Sequence, residues 1–246
     1  MHLKGVTEAP PAPGGDAVDY VQIASNIAAG KGFTRDGVTP CVDRPPLYPW
    51  ILSLTFRERQ RYDLIRWGQA VVLALLSGAV ARQLDRRIGF GPVLFIPLLW
   101  MVDPRARTMG ADILTEALAC GLITLLWLSL AAWEEQPRYR LAILAAVALA
   151  LSILCRTMLV AWIPVVAVCA WLRGTGGTSN PIRHSLILCC VPLCVFLPWA
   201  CRNVNILGQF YPVGTQGQEQ AAAAWSDEAF ARRGMWFNLD EQRFFD

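Results

Sequence analysis

Carboxyl groups stand at the start of two segments of this chain, where they could take part in proton transfer. In "DAVDYVQIASNIAAGKGF" the spacing of apolar residues predicts an amphipathic helix that begins at Asp16 and is closed by Gly30. In "MGADILTEALACG" Asp112 and Glu116 are four residues apart, which puts them on one face at the start of an apolar helix. A carboxylate in such a position could act as a general base toward a hydroxyl group.

Each of these acids also has a simpler structural interpretation. Asp16 could serve only as a helix N-cap, and the sequence leaves both roles open. Asp112 could be a first-turn acid that favours the helix dipole, and the pair could form a salt bridge to Arg105 or Arg107. For Glu116 a functional role is favoured, because a carboxylate one turn deeper in an apolar helix is costly without a purpose.

A rigid, proline-rich turn follows the first helix. In "CVDRPPLYPWILSL" Arg44 precedes two prolines that force an extended backbone, and its guanidinium could hold a phosphate bidentately. The alternative is that Arg44 pairs with Asp43 or extends to the membrane surface. Tyr48 and Trp50 are placed like interfacial anchors.

Two more arginines adjoin apolar segments. Arg156 lies in the middle of a long apolar run, and in "LPWACRNVNILGQFYPVGTQGQ" Pro198 and Trp199 are expected to end the last crossing just before Arg202 and Asn203. Arginine is the usual partner of a phosphodiester, so Arg156 and Arg202 together could form an electropositive patch for one. The alternative is that each is an ordinary interfacial arginine.

The composition is that of a membrane protein. Of 246 residues, 54% are hydrophobic and only 17% are charged, against about a quarter charged in a typical soluble domain. The net charge is +3 with the basic residues scattered, which excludes a nucleic-acid binder. Most of the eight cysteines lie in apolar runs, and with two histidines no zinc cluster is expected. A disulfide between Cys41 and Cys201 stays an open alternative.

Apolar segments divide the chain, because a helix that crosses a membrane needs about 20 residues. They predict a loop region with amphipathic helices over 1–63, a bundle of about six crossings over 64–200, and a further external segment over 201–246. The segments run over 65–84, 90–104, 112–133, 139–155, 156–172 and 184–200. The run from 139 to 172 is interpreted as two short helices that meet at a membrane surface near Arg156. The alternative is one long tilted helix with Arg156 buried against a partner.

Six crossings would bring the chemically interesting residues to one side of the membrane. That set is Asp16, Arg44, Asp112, Arg156 and Arg202. Arginines in the opposite turns favour, weakly, an outward-facing N-terminal region. The N-terminus itself has no apolar core and does not read as a signal peptide.

Several of these sequence motifs resemble those of one enzyme family. "GGDAVDYVQIASNIAAGKGF" followed by "DRPPLYPWILSL" is similar to the first external loop of the GT-C glycosyltransferases, in particular the family 39 branch of protein mannosyltransferases and aminoarabinose transferases. "ADILTEAL", "CRTMLVAWIP" and "LPWACRNVNILGQFYPVGTQG" resemble later landmarks in the same order. The resemblance implies an all-α, multi-pass membrane enzyme of the inner cell membrane. Such an enzyme transfers a sugar from a polyprenyl-phosphate donor to a glycan, lipid or protein acceptor at the extracytoplasmic face, without a cofactor or obligatory metal.

The resemblance also assigns roles. Asp16, four residues before Tyr20, falls at the position of the base that activates the acceptor hydroxyl, although Ala17 stands where relatives often carry a second acid. Asp112 and Glu116 fall at further acidic positions. Arg44, Arg156 and Arg202 match basic positions, the last two as phosphate ligands, and Tyr20, Tyr48 and Asn203 are grouped with them as substrate-binding residues.

The ends of the chain depart from the family pattern. Relatives begin with a transmembrane helix and continue with further helices, so the resemblance implies a fragment, a shortened gene product or a misassigned start. Two other functions stay open. One is a non-catalytic membrane subunit or a transporter of lipid-linked sugars, and the other is an inactive truncated relative.

Overall fold

The structure is a computed structural model that describes residues 16–56, 62–89, 113–174 and 180–231. Over these ranges the secondary structure is helical, with one isolated antiparallel bridge between Thr34 and Pro40 and no strand. The all-α class predicted from the sequence is therefore confirmed. Asp112, its possible partners Arg105 and Arg107, and the apolar segment 90–104 lie outside the described residues.

The helices follow the order of the apolar segments. They are α1 (Asp16–Ala28), α2 (Leu47–Phe56), α3 (Tyr62–Ile88), α4 (Thr115–Glu135), α5 (Tyr139–Cys155), a 3-10 helix (Thr157–Ala161), α6 (Trp162–Gly174), α7 (Pro181–Leu207), α8 (Gln216–Ala224) and α9 (Asp227–Ala231).

Three helices in the described part of the chain are long and apolar enough to cross a membrane. They lie at Asp63–Arg86, Thr115–Glu135 and Pro181–Leu207, with lengths of 24, 21 and 27 residues, against the ~20 that a crossing needs. Two apolar stretches, Tyr139–Cys155 and Thr157–Arg173, are shorter. These lengths indicate a membrane protein. The count of six crossings stays a prediction.

The chain divides into two compact units. The first comprises Met1–Pro40 and Pro45–Leu197, and the second comprises Cys41–Arg44 and Pro198–Asp246.

In the first unit, α4 and α5 form a helical hairpin that makes the most extensive helix–helix contact among the described elements. Only residues 136–138 connect the two helices, and a connection this short forces antiparallel neighbours. Alanines dominate the buried face of α5, and small side chains let two helix backbones approach closely. The fully buried alanines are Ala142, Ala145, Ala146 and Ala150.

The helix α5 ends at Cys155, immediately before Arg156, as two short helices would require. Arg156 takes an extended conformation (φ −143°, ψ 101°) while its N–H still donates to the carbonyl of Ser152 at 2.8 Å. A 3-10 turn then leads into α6. The break at Arg156 is confirmed, and the single long helix considered as an alternative is wrong.

Helix α7 extends beyond the predicted end of the last crossing. The sequence predicts that the last crossing ends at Pro198 and Trp199, and the helix continues beyond them to Leu207 and carries Arg202 and Asn203 within it. Proline removes one backbone donor from a helix, and neighbouring groups in a membrane helix can compensate for that loss. Pro192 and Pro198 both lie within the helix.

Candidate functional site

Glu116 and Arg156 meet at the open end of the α4–α5 hairpin. Glu116 lies in the first turn of α4, and Arg156 directly follows the last residue of α5. The helix dipole favours a negatively charged side chain at a helix N-terminus and a positively charged side chain at a helix C-terminus. Arg156 Nη2 donates to Glu116 Oε1 in an ion pair. The two side chains are 40% and 39% exposed, so a solute can reach both.

A buried contact beneath the ion pair fixes the same helix ends. The thiol of Cys155 donates to the carbonyl oxygen of Thr115 at a sulfur–oxygen distance of 3.7 Å, and both residues are buried. Adjacent residues on each helix thus make one buried polar contact and one half-exposed ion pair. The ion pair is therefore held on a fixed backbone, which is what positioning a reacting group requires.

The amphipathic helix α1 packs toward the same region. Its buried residues Tyr20 and Ala24 join Tyr48 and Leu52 of α2 in a core cluster with Ile113, which precedes α4. Leu114 and Leu118, on either side of Glu116, pack against this cluster. The helix that carries Asp16 is therefore anchored to the segment that carries Glu116.

Asp16 itself is exposed at the first position of α1, and the glycine expected to close the helix does so. Helix α1 ends at Ala28, and Gly30 adopts a positive φ of 76°, a conformation that glycine takes without steric cost. The second acid of the helix, Asp19, forms an ion pair with Arg35 at 3.0 Å. Arg35 lies in the loop that follows α1, and the sequence did not predict it as the partner of Asp19.

Tyr20 and Tyr48, predicted as substrate-binding residues, are buried at 3% and 1% exposure. Burial raises the pKa of the Tyr48 hydroxyl well above its usual value, although a hydrogen bond from Gln69 Nε2 at 3.1 Å acts in the opposite direction. Tyr48 is thus a neutral, buried phenol that bonds to α3 rather than an exposed anchor. Gln69 was missed, and its only sequence signal is a polar residue inside the apolar stretch "WGQAVVLALL".

In the second unit, Arg202 and Asn203 hold together segments that are distant in sequence. Arg202 Nη1 donates to the carbonyl oxygen of Cys41 and to Asn203 Oδ1, both at 3.0 Å. The guanidinium also lies 4.4 Å from the ring centroid of Trp199, in cation–π geometry. Asn203 is fully buried, and its Nδ2 donates to the carbonyl of Pro212 at 3.3 Å.

The second unit also contains Arg44 and Gly214, and the close approach of the backbone to Val42 requires a glycine at position 214. Arg44 Nε lies 3.7 Å from Asp43 Oδ2, so the pairing considered as an alternative for Arg44 is present. Gly214 has a φ of 81°, and a Cβ there would overlap the carbonyl oxygen of Val42. The possible disulfide between Cys41 and Cys201 is not formed, and the Cys41 thiol donates to Asp43 Oδ1 at 3.0 Å.

The structure therefore brings predicted residues together in three pairs. The pairs in the first unit are Glu116 with Arg156 and Tyr20 with Tyr48, and the pair in the second unit is Arg202 with Asn203. No group of three or more His, Cys, Asp or Glu side chains that could hold a metal ion occurs in the part of the chain that the structure describes. Comparisons with models of protein families, with curated proteins and with solved structures find no match to this chain.

Proposed function

We propose that this chain is a membrane glycosyltransferase, which transfers a sugar from a polyprenyl-phosphate donor to an acceptor hydroxyl at the extracytoplasmic face of the cell membrane. The observation that carries the proposal is the ion pair between Glu116 and Arg156. This ion pair joins two residues that are 40 positions apart in sequence, at the end of a helical hairpin. Both side chains are half-exposed, and they lie beside helices of membrane-spanning length.

Arg156 suits a phosphate that leaves with negative charge. A guanidinium carries five N–H donors in a planar fork, so it can bind one carboxylate and still donate to a phosphate oxygen. Glu116 acts as a positioning residue that holds the fork in one orientation. Stabilisation of developing charge by such preorganised donors is often the largest single contribution to catalysis.

The reaction is a single displacement at the anomeric carbon. The acceptor oxygen forms a bond to this carbon while the bond to the phosphate oxygen breaks, and the configuration inverts. Asp16 accepts the proton of the acceptor hydroxyl as general base, and the phosphate takes the electron pair of the broken bond. Arg156 stabilises the phosphate, and no cofactor takes part.

The test is release of polyprenyl phosphate by the full chain in membranes, supplied with synthetic polyprenyl-phosphate sugars of several kinds and a crude acceptor fraction. We expect release with at least one sugar, loss of release in Asp16→Asn, and strong reduction in Arg156→Lys, since lysine cannot donate as a fork. The matched controls are Asp36→Asn and Arg140→Lys, which change exposed side chains elsewhere. No release with any sugar, or equal release by Asp16→Asn, would overturn the proposal.

A further inference from the structure

His184 is a titratable side chain that the proposed reaction does not use. It lies near the start of α7 and is fully buried. Its imidazole ring lies against the ring of Tyr139, with 4.7 Å between the centroids, and meets the ring of Trp133 edge to face at 5.5 Å. Trp133 is in the last turn of α4, and Tyr139 is the first residue of α5. The histidine therefore joins α7 to the closed end of the hairpin, which comprises residues 133–139.

Ring packing holds this histidine without a hydrogen bond. Both ring nitrogens of His184, and Nε1 of Trp133, are buried and have no hydrogen-bond partner in the part of the chain that the structure describes. A neutral imidazole carries one donor and one acceptor, whereas an imidazolium carries two donors and a positive charge. The neutral ring loses less on burial than the charged ring, so the contact suits the neutral form.

The carboxylates at the closed end of the hairpin are paired with other residues. Glu134 forms an ion pair with Arg173 of α6, and Glu135 Oε1 accepts a hydrogen bond from Gln83 of α3 at 2.7 Å. Neither carboxylate forms an ion pair with His184. The other charged or titratable residues next to these ring contacts are Arg138, Tyr139 and Arg140 at the start of α5 and Arg183 on α7. Three of these are arginines, and a nearby positive charge disfavours an imidazolium.

Protonation of His184 would place an unpaired positive charge in this buried position. Attraction to the faces of the two aromatic rings offsets part of the cost, but two N–H donors would still lack acceptors. Water is close, because Arg183 is exposed and Tyr139 is 42% exposed. The charged ring reaches that water if the start of α7 moves away from the hairpin.

We propose that His184 is a pH-sensitive latch, which holds the start of α7 on the closed end of the hairpin while its imidazole is neutral and releases it when the imidazole is protonated. Glu116 and Arg156 lie at the opposite, open end of the same hairpin. The proposal therefore does not depend on sugar transfer.

Hydrogen–deuterium exchange of the purified full chain in detergent tests the latch. Exchange is followed by mass spectrometry at about pH 7.5 and about pH 5.5, a range in which histidine titrates and an ordinary glutamate stays charged. After correction for the intrinsic effect of pH, peptides from 133–142 and 181–190 should exchange up to about tenfold faster at the lower pH. That is the change expected for one histidine with an ordinary pKa of about 6.5 in the released state. A peptide from 148–155 should show no such change.

Two variants remove the proton, and two controls keep it. His184→Phe and His184→Leu have no titratable ring, so each should abolish the acceleration at low pH. His2→Phe removes the one other histidine of the chain and should leave the acceleration unchanged. Leu188 is also fully buried on α7, one turn beyond His184. Leu188→Ala should speed exchange of 181–190 at both pH values and keep the difference between them.

The pH dependence separates a latch from a merely structural contact. Equal corrected exchange of the native chain at the two pH values would overturn the proposal. So would an acceleration at low pH that persists in His184→Phe and His184→Leu, or one that disappears in His2→Phe. Circular dichroism and gel filtration at both pH values establish that the chain and its variants remain folded.

Discussion

The rings of Tyr20 and Tyr48 meet edge to face, with their centroids 5.5 Å apart and their planes at 86°. This geometry sets the positive edge of one ring against the negative face of the other. The contact fastens α1, which the sequence marks only as an amphipathic surface helix, to α2 and through it to the core cluster. The position of Asp16 therefore depends on an aromatic pair that lies a full turn away from it.

Removing one ring of this pair should loosen the first unit. Tyr20→Ala should lower the free energy of unfolding by about 3–5 kcal/mol, as for other buried aromatic residues. Tyr20→Phe keeps the ring and serves as the matched control. The measurement is thermal unfolding in detergent, followed by circular dichroism. An equal melting temperature for Tyr20→Ala and Tyr20→Phe would show that the ring contact is not what holds α1.

The buried phenol of Tyr48 should make stability fall at high pH. Its pKa in the unfolded chain is near 10.0, and burial raises the pKa in the folded chain above that value. The neutral phenol is thus favoured by folding, so its contribution is complete below pH 10 and is progressively lost as the pH rises beyond it. Unfolding by denaturant at pH 8 and at about pH 11 measures the change.

Tyr48→Phe should remove most of this pH dependence, because phenylalanine has no proton to lose. Tyr62→Phe is a control for general alkaline effects, since it removes a tyrosine from another helix. The same loss of stability at high pH in the native chain and in Tyr48→Phe would contradict the assignment.

The ion pair of Glu116 and Arg156 should show coupling in a charge exchange. Glu116→Arg and Arg156→Glu should each lower the melting temperature, because each places like charges at the open end of the hairpin. The double exchange restores opposite charges and should recover part of the loss. Both side chains are partly exposed, so the recovered stability should be modest and should shrink at high salt. Additive losses in the double variant would mean that the pair contributes nothing.

The second unit should be sensitive to a methyl group at Gly214. Gly214→Ala forces a left-handed backbone on a residue with a side chain and drives its Cβ into the carbonyl oxygen of Val42, a combination that should cost about 1–3 kcal/mol or more. Gly208→Ala is the control, since Gly208 also has a positive φ (66°) but has nothing within 4 Å. Faster amide exchange between residues 198 and 216 in Gly214→Ala alone is the expected result. Equal exchange in the two variants would exclude the steric contact as the cause.

Local signals in the sequence predict the helices well. The glycine at position 30 predicts the end of α1, and its φ in the structure is positive. The apolar run from 139 to 172 is too long for one crossing and has a charge in its middle, and these two features predict the break at Arg156. These features act within a few residues of the backbone. The end of the last crossing at Pro198 and Trp199 stays a prediction, because the helix itself continues to Leu207 and a proline only weakens a helix.

Partners of side chains are harder to predict, because they depend on how the helices pack. A salt bridge from Glu116 to Arg105 or Arg107 was one interpretation of the sequence, and those arginines lie outside the described residues. The contact that the structure describes is with Arg156, 40 residues away, and the sequence did not predict that pairing. The link from Gln69 to Tyr48 and that from Asn203 to Pro212 have no local signal either. Both join segments that only the folded chain brings together.

The alanines of α5 make the hairpin itself testable. Ala146 is fully buried, in a helix whose packing against α4 is the most extensive contact among the described elements. Ala146→Leu adds three carbons to a site without space, which should cost about 1–3 kcal/mol by overpacking. Val147 is the next residue and is exposed, so Val147→Leu tests a similar side chain outside the packed face. If thermal unfolding finds the two variants equally stable, α5 does not pack through its alanines, and the ends that carry Glu116 and Arg156 are not held by the hairpin.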